Sequence, residues 1–122
     1  MIPIPVYKDI HFIGIFMVLM ALGGLLLHVI NGGTKNHAWR KSIAITHGVG
    51  IFLVLLGGFG MLARMGIFWS WPGWVVGKVF IWVILGGLPA MIFRKPTLAK
   101  PLWWITIALA ALAAYLGGNK PF

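Results

Sequence analysis

The stretch Arg40 to Met65, RKSIAITHGVGIFLVLLGGFGMLARM, decides the architecture. It opens on two cations and then runs apolar for about twenty residues, enough as a helix to cross a hydrocarbon core of roughly 30 Å. His47 is the one strongly polar side chain inside that run. An ionisable group in lipid is costly without a partner, which makes His47 a candidate site residue. At 100° per residue, Gly50, Val54, Gly58 and Met61 fall within about 40–60° of it, and Gly57 flanks the stripe. A histidine above a glycine-lined groove accepts close packing by another helix or by a flat ligand.

The rest of the chain repeats the theme of that stretch. Of its 122 residues 61% are hydrophobic, mean hydropathy is +0.99, and only 9% are charged, against about 25% in soluble domains. The fold class is therefore all-α and integral to a membrane, a single domain built as an antiparallel four-helix transmembrane bundle. Spanning helices are expected near 9–30, 42–65, 74–93 and 102–117, separated by Asn31-Gly32-Gly33 and a polar loop, by Pro72-Gly73, and by Arg94-Lys95-Pro96. Pro3 and Pro5 predict an extended, retained lead over Met1–Tyr7, with Asp9 capping the first helix. Gly117-Gly118 is expected to close the last helix, and Pro89 to disturb the third, because it cannot donate to the Leu85 carbonyl. Trp69, Trp71 and Trp74 suit a headgroup boundary.

Composition also removes several chemistries. The chain has no cysteine, so disulfides, thiolate nucleophiles and iron–sulfur ligation are excluded. Its one acid, Asp9, leaves no paired carboxylates for acid/base work. A net charge of +9 would elsewhere suggest nucleic acid. Here the cations cluster at the ends of apolar segments, as membrane orientation requires, and no nucleic-acid partner is expected. The loops after the first and third helices hold Lys35, Arg40, Lys41, Arg94, Lys95 and Lys100, against Lys8, Arg64, Lys78 and Lys120 on the opposite side. That bias predicts both termini outside and both basic loops cytoplasmic.

The polar groups then sort into two layers. His28, His37 and His47 share the cytoplasmic side, His28 and His47 differing in depth by only about 5 Å. His11 and Lys78 share the outer side with Asp9 and Tyr7. Imidazole ligates haem iron, copper and zinc. Two histidines on neighbouring helices, His28 and His47, can hold a haem edge-on where glycines make room. Against this stand ordinary roles: a hydrogen bond to a carbonyl or headgroup for any of the histidines, and above all for His37 in its loop; snorkelling for Lys78; packing for Met17, Met20, Met61 and Met65. In its functional version Lys78 faces the bundle and binds a propionate or a quinone oxygen. On the helix faces, Gly14, Ala21 and Gly24 are expected to meet Gly50, Gly57 or Gly58.

His11 in a first helix, His47-Gly-Val-Gly-Ile opening a second, Trp74-Val-Val-Gly-Lys78 opening a third and Arg94 after it make a pattern that resembles the SirB-like small bacterial membrane proteins and, more distantly, the HemJ-type protoporphyrinogen oxidases. The resemblance covers the first three helices. It implies a four-helix membrane bundle. The HemJ type further implies haem b, with the first-helix histidine and third-helix lysine needed for activity, which carry over to His11 and Lys78. The SirB-like pattern carries the second-helix histidine over to His47. The chain departs from the HemJ pattern in its second helix and lacks a further first-helix arginine, so porphyrinogen oxidation does not carry over.

These readings converge on a haem b protein that passes electrons, with a quinone or a redox protein as partner and a homo-oligomer as a further expectation. The expected iron ligands are His47 and His28, or a single histidine, with His47 favoured as the deepest. A structural or assembly subunit of a membrane complex, and a small transporter or metal-ion carrier using the histidine layer, stand beside it. Leu, Val, Ile and Gly at the midplane weigh against the transporter.

Overall fold

The computed structural model describes residues 2–68 and 70–120, so Trp69 lies outside the described residues. Four helices account for nearly all of them: α1 (Ile4–Ile30), α2 (Arg40–Arg64), α3 (Gly73–Arg94) and α4 (Ala99–Asn119), with a single 3-10 turn at Pro96–Leu98 ahead of α4. Each is long and apolar enough to cross a membrane, and the chain is a multi-pass membrane protein.

The helix boundaries differ from the sequence expectation at points set by proline and glycine. The lead is helical from Ile4 onward, where α1 begins, with the extended Pro3 as its cap residue and Pro5 in its first turn. The first amides of a helix have no intrahelical acceptor, so a proline there removes nothing, and its fixed φ suits the helix. Asp9 therefore lies inside α1, makes no cap bond and is exposed. The added turn is held by α2, since the Tyr7 ring packs against Gly60. Pro72 and Gly73 form no turn centre. Pro72 is instead the cap residue of α3, and its carbonyl accepts from the amides of Val75 at 3.1 Å and Val76 at 3.3 Å. Pro101 likewise sits in the first turn of α4, which starts before Leu102 and runs through Gly117 and Gly118 to Asn119. Lys120, in the left-handed region at φ 48°, closes it. The expected stop after α1 is present. Gly32 takes φ +85°, and the Gly33 amide donates to the His28 carbonyl at 2.8 Å.

α1 is the central helix and touches all three others. Its most extensive contact is with α2, and glycine is the reason. A methyl group on Gly14 would lie 2.6 Å from the Val54 amide nitrogen and 2.7 Å from the Gly50 carbonyl oxygen. One on Gly50 would lie 2.9 Å from the Gly14 carbonyl oxygen, and one on Gly57 would lie 2.5 Å from the His11 amide nitrogen. Lipid tails are as apolar as leucine, so helices associate in a membrane by such close approach rather than by burial from water. Gly14 follows expectation by meeting Gly50, and Ala21 is buried. Gly24 does not: it is exposed, with nothing within 4 Å of a methyl placed on it, and it belongs to the lipid face.

The dense core lies toward the end of the bundle that carries the basic loops. Leu22, Leu25, Leu26 and Val29 of α1 interlock there with Leu88 and Ile92 of α3 and with Ala99 and Leu102 of α4. α2 and α3, by contrast, barely touch. Toward the end that carries the chain termini the gap between them is a cavity.

Candidate functional site

A group buried in lipid must satisfy its polar atoms inside the protein. Among the described residues every fully buried side-chain nitrogen and oxygen has a partner. The partners separate the four histidines.

His47 is 9% exposed, and its Nε2 donates to the Leu85 carbonyl of α3 at 3.0 Å. That carbonyl is the one that Pro89, about one and a half turns before the Arg94 end of α3, leaves without an amide donor. His28 turns the other way. Its Nε2 donates to the Thr34 carbonyl at 2.8 Å in the adjoining loop, its ring packs on Gly33, and the His37 ring lies 4.2 Å away between centroids. The structure thus commits the Nε2 atoms of both expected iron ligands to backbone carbonyls in different places, one across the bundle and one in a loop. No group of three or more metal-ligating side chains exists among the described residues. His37, in the loop, titrates below the ordinary imidazole value, through desolvation first and then the charges of His28 and Arg40.

His11 is arranged differently. It is 6% exposed, and it is Nδ1 that donates to a carbonyl, that of Val54 at 2.8 Å. The close α1–α2 approach at Gly14 and Gly57 makes the bond possible by bringing the two backbones together. A carbonyl only accepts, so the proton of the neutral ring sits on Nδ1 and Nε2 keeps its lone pair. His11 also lines the cavity.

That cavity measures about 390 Å³ and is lined by all four helices, within the range of roughly 300–1,000 Å³ common for small-molecule sites. α2 lines it from Val54 to Met65, with Phe59 and Met61; α3 contributes Trp74, Lys78, Val79 and Trp82; α4 ends on it with Gly117 and Lys120. Its wall is otherwise apolar, and the charged groups on it are cations. Lys78 is half-buried, with its Nζ beside Gly117, where a methyl group would come within 2.8 Å of it. Lys120 donates to the Gly117 carbonyl at 2.8 Å and lies 5.3 Å from the centroid of the Trp74 ring. The one carboxylate side chain of the protein, Asp9, is exposed on α1 and does not line this space.

Lys78 therefore joins His11, as the layer argument expected, while His47 and His28 are not at this cavity. Two participants escaped the sequence reading. Trp82 is legible in retrospect, because Trp74, Lys78 and Trp82 stand at i, i+4 and i+8 on one face of α3. Lys120 reads in the sequence only as a cation on the same side as Lys78, because the glycine pair before it suggests the end of the helix.

Comparison with protein-family models, with characterised proteins and with solved structures returned no match. The chemistry of these residues carries the functional reading.

Proposed function

We propose that this membrane protein binds haem b in the cavity at the terminal end of the bundle, with His11 as axial ligand, and that it passes electrons in a bacterial inner membrane. One observation carries the reading: the Nδ1–H of His11 is held by the Val54 carbonyl at the wall of an apolar cavity, which leaves Nε2 as the donor atom. Histidines that ligate metals ordinarily donate their other ring N–H to a carbonyl or carboxylate, and this bond both fixes the tautomer and raises the basicity of the ligating nitrogen.

The remaining residues suit the same group. Lys78 and Lys120 supply two ammonium charges for two propionates, with no competing acidic side chain among the described residues of the cavity wall. Trp74, Trp82 and Phe59 supply flat apolar walls that exclude water. When bound, haem supplies one-electron chemistry, and the protein supplies the ligand, the dry pocket and the charge balance. By the excess of cations on the loops after α1 and α3, the cavity end faces outward and both termini lie there. A quinone dissolved in the membrane, or a redox protein, is the partner such a site would serve.

The visible spectrum of gently purified protein, with and without dithionite, tests the proposal. A Soret band that shifts on reduction, and is lost in His11→Ala, is expected. Protein that is colourless and takes up no added haem would overturn it and leave a structural or assembly subunit as the better account.

A further inference from the structure

A reciprocal pair of hydrogen bonds joins α2 to α3. α2 donates through His47 Nε2 to the Leu85 carbonyl at 3.0 Å, and α3 donates through Trp82 Nε1 to the Ile51 carbonyl at 3.0 Å. Donor and acceptor on α2 are four residues apart, and on α3 three, so the two bonds sit about one helical turn apart and run in opposite senses. Otherwise these helices scarcely touch. The cavity begins directly beyond the pair: its lining on α2 starts at Val54, three residues past Ile51, and Trp82 itself is part of its wall.

Pro89 explains why the first bond exists. In an uninterrupted helix the residue-89 amide would donate to the Leu85 carbonyl, but proline has no N–H. Within lipid no water can replace it. An imidazole from the neighbouring helix occupies the vacated acceptor. Proline thus converts an intrahelical bond into an interhelical one, where a sequence with alanine at 89 would have no acceptor in need of a partner.

We infer that His47 and Trp82 form a pin that fixes α3 against α2 at mid-membrane, and that the pin sets the spacing of the cavity beyond it. His47 is then a positioning residue: by fixing α3 it determines where Lys78 and Trp82 stand relative to His11. This does not depend on what fills the cavity, and the readouts below use protein without cofactor.

The test is a double-mutant cycle between His47 and Pro89, read by reversible unfolding in detergent. His47→Ala should shift the unfolding equilibrium about three- to tenfold toward the unfolded state, the range of interhelical side-chain bonds in membrane proteins. In a Pro89→Ala background, where residue 89 regains its N–H, the same substitution should have almost no effect. His47→Gln keeps a donor near the position of Nε2 and should behave like the unchanged protein, although an amide cannot ligate iron as imidazole does. The absence of cysteine permits spin labels at Ala63→Cys and Val76→Cys, both exposed near the far ends of α2 and α3. Their distance distribution should broaden in His47→Ala and in Trp82→Phe, and should recover its width when Pro89→Ala is added to His47→Ala. If His47→Ala does not fold, rescue of folding by Pro89→Ala is the expected result. Equal penalties in both backgrounds, failure of Pro89→Ala to rescue, a glutamine variant no better than alanine, or an unchanged distance distribution would each overturn the pin.

Discussion

The two ends of this bundle are made of the same apolar residue types and do opposite things. At the loop end α1, α3 and α4 close on one another, with Leu22, Leu26, Leu88 and Ile92 fully buried. At the terminal end α2 and α3 part, and the space between them holds the cations of α3 and α4 and the imidazole of α1. The histidines divide in the same way. His47, by the closed half, spends Nε2 on a carbonyl that a proline has orphaned. His11, at the open half, spends Nδ1 and keeps Nε2 for another partner. Two buried histidines with similar exposure thus differ in what they can bind, because a different ring nitrogen meets the backbone.

The most damaging change should strike the contact on which both ends depend. Gly57→Leu would drive a side chain into the backbone of α1 at His11 and Tyr7. Overpacking costs about 1–3 kcal/mol even where side chains can shift, and here backbone must shift. Loss of the monodisperse peak in detergent size-exclusion chromatography is expected. Gly24→Leu, on the lipid face, should leave that peak unchanged. Equal tolerance at the two positions would break the assignment of the α1–α2 interface.

Next in size is the contrast between the histidines. His11→Ala should lower haem affinity by at least about tenfold, as loss of a metal ligand does, whereas folded His47→Ala should retain most of its Soret absorbance. The reverse pattern would return the iron to His47. A smaller effect is expected at the cavity rim. Lys78→Ala should weaken haem uptake several-fold, and Lys120→Ala less, because Lys120 is exposed and an exposed charge is screened by solvent. Both losses should shrink at high salt if they are electrostatic.

The smallest effect belongs to the loop. His37 has its folded-state pKa below the ordinary 6.5. The unfolded chain therefore binds the proton more readily, and stability rises with pH across the interval between the two values. Its contribution is fully present above 6.5 and fades as pH falls through the folded value. A series of Tm measurements between pH 7.5 and 5 should show a shallow decline on acidification that His37→Gln flattens.

Much of the architecture was legible in the residue order. Apolar runs of spanning length, punctuated by Asn31-Gly32-Gly33 and by Arg94-Lys95-Pro96, specify four helices, since a membrane admits little else. The first turn of α1 differs from expectation for one reason: Pro3 and Pro5 suggest an extended lead, but in a first helical turn no amide is needed. Of the site, Lys78 and His11 were placed in one layer by counting from the helix ends, and His47 was marked as a polar group that must find a partner.

Which partner it finds is not local information. The Leu85 carbonyl can be predicted to lack a donor from Pro89 alone, and His47 can be predicted to need an acceptor. That the two meet depends on how α2 and α3 cross. In the same way the ring nitrogen that His11 keeps free depends on where glycines let α1 settle against α2. Element identity follows from length, hydropathy and backbone chemistry, all carried along the chain. The choice among equally apolar helix faces follows from sub-ångström fit between backbones and side chains, and from which carbonyl a polar atom happens to reach. These quantities exist only once the helices are packed.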